Sequence, residues 1–556
     1  MYAYIARVRS KGRLYEYLQV CETVRRNGKP TRRTLGSLGR LDQLDPGKVD
    51  GLIRGLRRFA WREGEAWVRP AEAPIVATRV LGPVLVGRKL WEELGVAGLV
   101  AQGQKGFAVE EALFRLVLNR LVDPMSKLSC VEWQEGVEWP RAGKSYGYDD
   151  YLRAMDVLHS QKEELEEALF LRVRDLFSVP LRLVWYDLTS SYFEGDGVCE
   201  LAEYGHSRDH RGDRAQIVMG LAITQEGFPI AHDVFPGSTG DVGTVAGMAQ
   251  KLKERFGLQN VVLVGDRGLL SGENAHTLDG LGMGYVLALR TRQHSQVTDV
   301  VEEAIAKGLE RPSDPDAEWT VAEVEPREGM RHVVVYSAFR AIHDRVVRRE
   351  RLRRTRDELR RLAGRVASGR LKSERKVAER ATRILSGHKA GRYFEWELRD
   401  GAFGFWLDSE FYRRQRKLDG VYVLVSNDDE LSVHEIVSAY RQLHEVEDAF
   451  RVLKSLVKLR PIYHWTKRRV EAHVFICVLG YLLAKVMEQR LKKAGLPMTA
   501  ARALRHLEDV RAVDQEWGDL LLTHMTRPSP QAQAILRAFN LPAEATILKN
   551  GSLATG

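Results

Sequence analysis

Three carboxylates in this chain have the types and settings for phosphoryl-transfer chemistry. Asp187 ends the apolar run LRLVWYD, Asp266 ends NVVLVGD, and Glu447 lies within YRQLHEVEDAFRVLK at 440–454. Taken singly, each aspartate has a plainer reading, because DLTS and GDRG are sequences that turn a chain after a strand. Taken together the three are a costly set. Two carboxylates 4 Å apart repel by roughly 4 kcal/mol at an effective dielectric of 20. A hard divalent cation removes that repulsion and prefers oxygen ligands, so Mg²⁺, with Mn²⁺ as substitute, is the expected ion. Two such ions about 4 Å apart can activate a water or a 3′-hydroxyl and stabilise the leaving oxygen of a phosphodiester.

The third carboxylate has a further signature. Tyr440, Glu447 and Lys454 follow one another at seven-residue steps. On a helix seven residues advance about 700°, roughly 20° short of two turns, so an unbroken helix presents all three from nearly one face. Ser432 and Glu435 make a capping-box pattern, and Ile436, Leu443, Val446, Phe450, Leu453 and Val457 form an apolar stripe at three- and four-residue steps. One helix is therefore expected through 432–457. Glu445 falls about 200° from Glu447 and Asp448 about 100°, so only Glu447 shares the row. A solvated helix edge with a coincidental spacing is the alternative, and the surrounding elements must decide.

Those elements read as follows. Residues 1–42 suggest short strands around a hairpin turn at Asn27-Gly28, and 85–178 are helical in pattern, as in EEALFRLVLNRLV. Then come the strand LRLVWYDL, the hairpin AQIVMGLAIT–QEG–FPIAHDVF, the helical GTVAGMAQKLKERFG, and the strands NVVLVGD and GYVLALR. This β-β-β-α-β-β order puts Asp187 and Asp266 at the ends of its first and fourth strands, where open sheets assemble their sites. Residues 291–420 interrupt the pattern with EWTVAEV, RHVVVYS, a basic helical hairpin, YFEWELRDG and FGFWLD, after which GVYVLVSN resumes it. The last 60 residues read as helical.

Charge placement points to a polyanion. The net charge is +10, yet residues 340–392 alone hold 19 Lys or Arg against 6 Asp or Glu, and residues 1–70 hold 16 against 7. Arg353, Arg354, Arg360 and Arg361 are the candidates in the first patch for contact with a DNA backbone, against the alternative of a solvated charged hairpin. In RPIYHWTKRRVEAHVF, Trp465, Lys467 and Arg468 combine stacking and charge in the way DNA contact uses. The other histidines are weaker candidates: His206 and His210 lie in a Gly/Asp-rich loop unsuited to zinc, and His232-Asp233 fits local hydrogen bonding. The four cysteines lie far apart with no CxxC, the start lacks an apolar signal core, and VFICVLGYLLA at 474–484 is too short to span a bilayer. A cytoplasmic, nucleoid-associated protein with no membrane partner is expected, and VFICVLGYLLA is expected within an amphipathic helix.

The chain resembles the bacterial insertion-sequence transposases of the DDE type. WYDLTSSYFEG, GHSRDHRGDRAQ at 205–216, VGDRGL and the helix of Glu447 carry the resemblance. The family signature on that helix is Tyr, two residues, Arg, three residues, Glu, six residues, Lys. Tyr440, Glu447 and Lys454 match it, Leu443 stands at the Arg position, and His444 stands where an aromatic often follows.

The resemblance implies a mixed α/β, ribonuclease H-like catalytic core with a β-rich insertion containing a basic helical hairpin, plus N-terminal β and helical regions. It implies that Asp187, Asp266 and Glu447 hold two metal ions, and that Tyr440 and Lys454 hold phosphates of a transposon end. Arg267, His444 and Arg451 are nearby DNA-binding candidates. The implied partners are double-stranded DNA, as terminal inverted repeats and target, and a second copy of the chain in the DNA complex. The expected segments are a basic β-rich region at 1–80 and a helical domain at 81–178, both candidates for DNA contact. The first half of the core follows at 179–292, the insertion at 293–420 and the second half at 421–495. A helical C-terminal region at 496–556 is a candidate for dimerisation. A site-specific nuclease on the same core, or a non-catalytic DNA-binding protein derived from a transposase, are the rival functions.

Overall fold

The structure is a computed structural model. It describes residues 2–10, 13–26, 29–45, 47, 49, 73–100, 107–140, 145–179, 181–195, 199–258, 260–266, 268–269, 272–289, 295–314, 316–388, 390–517, 520–544 and 547–552. The chain divides into two units, one formed mainly by residues 1–74 and the other mainly by 75–515 and 522–550. In the first, strands Tyr2–Ser10, Arg13–Arg26 and Lys29–Arg40 make an antiparallel sheet in chain order. The expected strands are present; the Asn27-Gly28 turn lies outside the described residues. Arg32 stacks over the Tyr4 ring at 3.7 Å and Arg40 over Tyr15 at 4.5 Å.

The second unit is built on one eight-stranded sheet. Its strands are β1 (Leu183–Tyr192), β2 (Gln216–Ile223), β3 (Pro229–Pro236), β4 (Val262–Gly265) and β5 (Gly284–Ala288), followed by β6 (Thr320–Arg327), β7 (Met330–Tyr336) and β8 (Val421–Ser426). They lie in the order β6-β7-β8-β5-β4-β1-β2-β3. β1, β2 and β3 form an antiparallel meander, and β1, β4 and β5 run parallel to one another. The element order matches the β-β-β-α-β-β reading of the sequence, and the arrangement is the mixed α/β, ribonuclease H-like core that the resemblance implies. The central strands read as apolar runs because both their faces are covered. Val184, Tyr186 and Leu188 pack with Met248 and Leu252 on one face, while Trp185 joins Val474 and Val264 on the other.

Two expectations change here. β6 and β7, read as part of the insertion, pair onto β8 and extend the sheet. An edge strand alternates in sequence whether or not it belongs to the main sheet, so pattern alone could not assign it. The segment projecting between β7 and β8 is therefore helical: α1 (Ala338–Ala367) and α2 (Glu374–Gly387), with a small hairpin, Phe394–Arg399 and Ala402–Leu407. It has its own core, in which Leu359, Leu362 and Val377 meet Tyr393 and Phe394. The C-terminal region is not all helical either, since strand Arg511–Trp517 pairs with Ile75–Val80.

Three helices follow β8 in the order α3 (Val433–Arg441), α4 (His444–Ser455) and α5 (Lys467–Lys493). The 27-residue α5 is apolar enough to cross a membrane by composition, but 89% of its apolar window is buried inside the protein. Buried residues run almost around its circumference, so it is a core helix and not the amphipathic one expected.

The single helix expected through 432–457 is interrupted. α3 stops at Arg441 and α4 begins at His444. At the break the Leu443 amide donates to the Tyr440 carbonyl, three residues back, at 3.2 Å. This leaves the Ala439 carbonyl without its usual helical donor. The Trp185 indole, fully buried on β1, donates to that carbonyl at 2.8 Å. Trp185→Phe keeps most of the ring volume and removes the donor, so it is expected to destabilise the protein by about 1–3 kcal/mol. Urea unfolding followed by circular dichroism measures this, and an unchanged midpoint would show that the break is held by other contacts.

Candidate active site

The alternation along β1 places Trp185 and Asp187 on the same face. Trp185 pairs with Val264 in the parallel β1/β4 register, and Asp266 follows β4 two residues further on. Both aspartates therefore project on the face that α3 and α4 cover. β1 does not end at Asp187, as its apolar run suggests, but continues to Tyr192, because Thr189, Ser190 and Ser191 are buried strand residues. Asp187, Asp266 and Glu447 all line one cleft of about 1160 Å³.

A fourth carboxylate, Asp241, lines the same cleft and is paired with Arg208 at 2.7 Å. Burial pushes the Asp187 carboxyl up to about 7; the Leu188 amide and Arg208 oppose the rise, and the carboxylates of Asp266 and Asp241 add to it. Several carboxylates lining one cleft are the oxygen donors that a hard divalent cation prefers. The donor chemistry thus fits Mg²⁺ or Mn²⁺. Among the described residues no three acidic, histidine or cysteine side chains stand grouped closely enough to hold an ion as they are.

The Tyr440–Glu447–Lys454 row is split by the helix break, and its members have separate partners. The Tyr440 hydroxyl donates to Asp266 Oδ1 at 3.2 Å, and burial, reinforced by Asp266, raises its pKa. Glu447 is exposed to the cleft. Lys454 Nζ donates to Asp209 Oδ1 at 2.8 Å, and burial pulls the lysine below its usual range despite that partner. Leu443, at the signature Arg position, sits in the break itself.

The remaining candidates scatter. Arg451 lines the cleft and pairs with Asp448. His444 is exposed, with Nδ1 2.9 Å from the Arg441 carbonyl. Trp465 is 70% exposed, Lys467 is exposed beside it, and Arg468 pairs with Asp156 at 2.9 Å. On α1, Arg353 and Arg354 share Glu350 at 2.9 and 2.8 Å, Arg360 stands 3.9 Å from Asp357, and Arg361 donates to the Asp357 carbonyl at 3.3 Å. None of these four lines the cleft; Arg340, Arg351 and Arg392 of the same segment do. Arg267 lies outside the described residues. Arg208 and Asp241 escape a sequence reading because Arg208 stands in a turn and Asp241 opens a short 3-10 helix, although Arg208 belongs to the GHSRDHRGDRAQ motif.

A family profile described as "Transposase DDE domain" matches residues 180–483, and one described as "IS1634 family transposase, N-terminal domain" matches residues 5–66. Comparison with curated proteins gives no match. Among solved structures, the piggyBac transposase synaptic complex with hairpin DNA aligns at 11% identity over 77% of this chain and 79% of that one, with a TM-score of 0.37. The Mos1 transposase paired-end complex with left transposon end aligns at 15% identity over 44% of this chain and 68% of that one, with a TM-score of 0.15. These structural likenesses are too low to carry the assignment, which rests on the first profile, spanning more than half of the 556 residues. By that match the chain belongs to the DDE-domain transposases of bacterial insertion sequences, enzymes that cut and transfer DNA.

Proposed function

We propose that this transposase binds the terminal inverted repeats of its own element, cleaves there and joins the freed 3′ ends to target DNA, with Asp187, Asp266 and Glu447 as its catalytic residues. One observation supports this reading above the others: the three carboxylates and the arginines Arg340, Arg351 and Arg392 line a single cleft. Metal-ligand chemistry and phosphate-binding chemistry meet there. Two Mg²⁺ ions, or Mn²⁺ in their place, held by Asp187, Asp266 and Glu447 would activate the attacking oxygen and stabilise the leaving one.

The chain's own groups have distinct tasks. Asp187 carries a proton through much of the neutral range and must lose it to act as a ligand. Tyr440 orients Asp266 through its hydroxyl. Arg340 and Arg351 hold backbone phosphates in the cleft, while Trp465, Lys467 and the outer α1 arginines contact duplex further away. Tyr440 and Lys454 serve as supports of the site in this reading, since each already donates to a carboxylate. Two element ends must be paired before joining, which calls for a homodimer in the DNA complex.

In Mg²⁺, Glu447→Gln is expected to lose cleavage and joining while end binding and circular dichroism persist. Glu445→Gln should remain within a few-fold of the parent. Strand-transfer assays on end-containing DNA measure both and separate a transposase from a nuclease, which would cut without joining. Cleavage by Glu447→Gln would move the third ligand elsewhere.

The Asp187 carboxyl is raised to about 7, so its ligand form is lost as pH falls through that value. The Mg²⁺ concentration needed for half-maximal cleavage should accordingly fall as pH rises from about 6 to about 8. A requirement independent of pH would exclude Asp187 as the titrating ligand.

Arg340→Gln and Arg351→Gln should weaken binding to any DNA sequence. Each should flatten the slope of log affinity against log salt by about 0.9. An unchanged slope would remove the cleft arginines from the phosphate contacts.

A further inference from the structure

The motif GHSRDHRGDRAQ, at 205–216, contains two adjacent side chains that reach to different parts of the site. Arg208 donates from Nη2 to Asp241 Oδ1 at 2.7 Å, and its backbone amide donates to Ser190 Oγ at 2.9 Å, three residues beyond Asp187 on β1. Asp209 turns to the helix layer, where it accepts from Lys454 Nζ at 2.8 Å and pairs with Arg460. Its side chain is only 4% exposed. Its second oxygen, Oδ2, is buried without a hydrogen-bond partner. Lys454 lies two turns along α4 from Glu447. One dipeptide therefore joins the strand that carries Asp187 to the helix that carries Glu447.

We propose that Arg208-Asp209 is a positioning pair that sets the separation of the Asp187 and Glu447 carboxylates, and through it the affinity of the site for its divalent cations. The proposal rests on the reading of those carboxylates as metal ligands. A buried carboxylate that receives two cations holds α4 in one orientation far more firmly than exposed pairs such as Arg353–Glu350, where water competes. Lys454 and Arg460 act here through Asp209 and not as direct phosphate ligands.

The test is Asp209→Asn, which keeps shape and an acceptor oxygen but removes the charge that gathers Lys454 and Arg460. Mn²⁺ binding to the protein alone, read from the loss of the free-ion electron paramagnetic resonance signal, should weaken by about tenfold or more. Half-maximal cleavage should need correspondingly more Mg²⁺, saturating ion should restore most of the rate, and affinity for end-containing DNA should stay within about twofold. Lys454→Arg, which retains the cation, should keep near-parental Mn²⁺ affinity, whereas Lys454→Gln, which removes it, should weaken that affinity and serves as the second variant if Asp209→Asn fails to fold. Unchanged Mn²⁺ affinity in Asp209→Asn, a loss of DNA affinity at unchanged metal requirement, or a Lys454→Arg protein as impaired as Asp209→Asn would each overturn the proposal. Glu447→Gln is run alongside. If it still cuts, the reading of the site has failed; if it is inactive while Asp209→Asn matches the parent, only the positioning role has failed.

Discussion

A single buried hydrogen bond, from the Trp185 indole to the Ala439 carbonyl, makes the geometry of the site possible. Breaking a helix between Arg441 and His444 orphans a carbonyl in the interior, and such a group must be satisfied there. The donor comes from β1, two residues before Asp187. The same contact thus binds the strand of the first carboxylate to the helix end from which the third one departs. Tyr440, the next residue after Ala439, then meets Asp266. Strand, break and hydroxyl form one continuous assembly, and each part would be costly without the others.

Charge is arranged around that assembly with the same economy. The cleft gathers Asp187, Asp241, Asp266 and Glu447, with Arg208, Arg340, Arg351, Arg392 and Lys454 also in its lining. Arg208 neutralises Asp241, and a proton on Asp187 relieves part of the remainder. Away from the cleft, Glu166 is buried among cationic partners. His232 sits 2.6 Å from Glu166, which also meets Lys162 and Arg255 at 3.1 and 3.0 Å.

The core strands and the two aspartates were legible in the sequence because buried strands leave long apolar runs and turns leave Gly and Asp. Asp187, Asp266 and Glu447, far apart in the sequence, line one cleft. The break before His444 was not legible. Leu443 and Val446 continue the apolar stripe straight through it, and a one-residue tightening of the hydrogen-bond pattern leaves no mark in side-chain spacing. Arg208, Asp209 and Asp241 were hidden for another reason: they stand in a turn and at the start of a four-residue 3-10 helix, too short for periodicity to report. The arginine patch was visible as composition, but composition could not say that Arg340, Arg351 and Arg392 face the cleft while Arg353 and Arg360 do not.

The way the helical insertion is attached has a consequence for descent. β7 and β8 are antiparallel neighbours, with Tyr336 opposite Val421. The Ser337 amide donates to the Gly420 carbonyl at 3.0 Å, and Gly420 takes a positive φ of 75° where any Cβ would stand 2.5 Å from the Ser337 carbonyl. Everything from 338 to 419 thus leaves and returns through what is, topologically, the tip of a hairpin. A segment hung on one such stalk can lengthen, shrink or be exchanged without re-threading any strand. The strands that carry Asp187 and Asp266 lie elsewhere in the sheet, so a change confined to 338–419 leaves their connections intact.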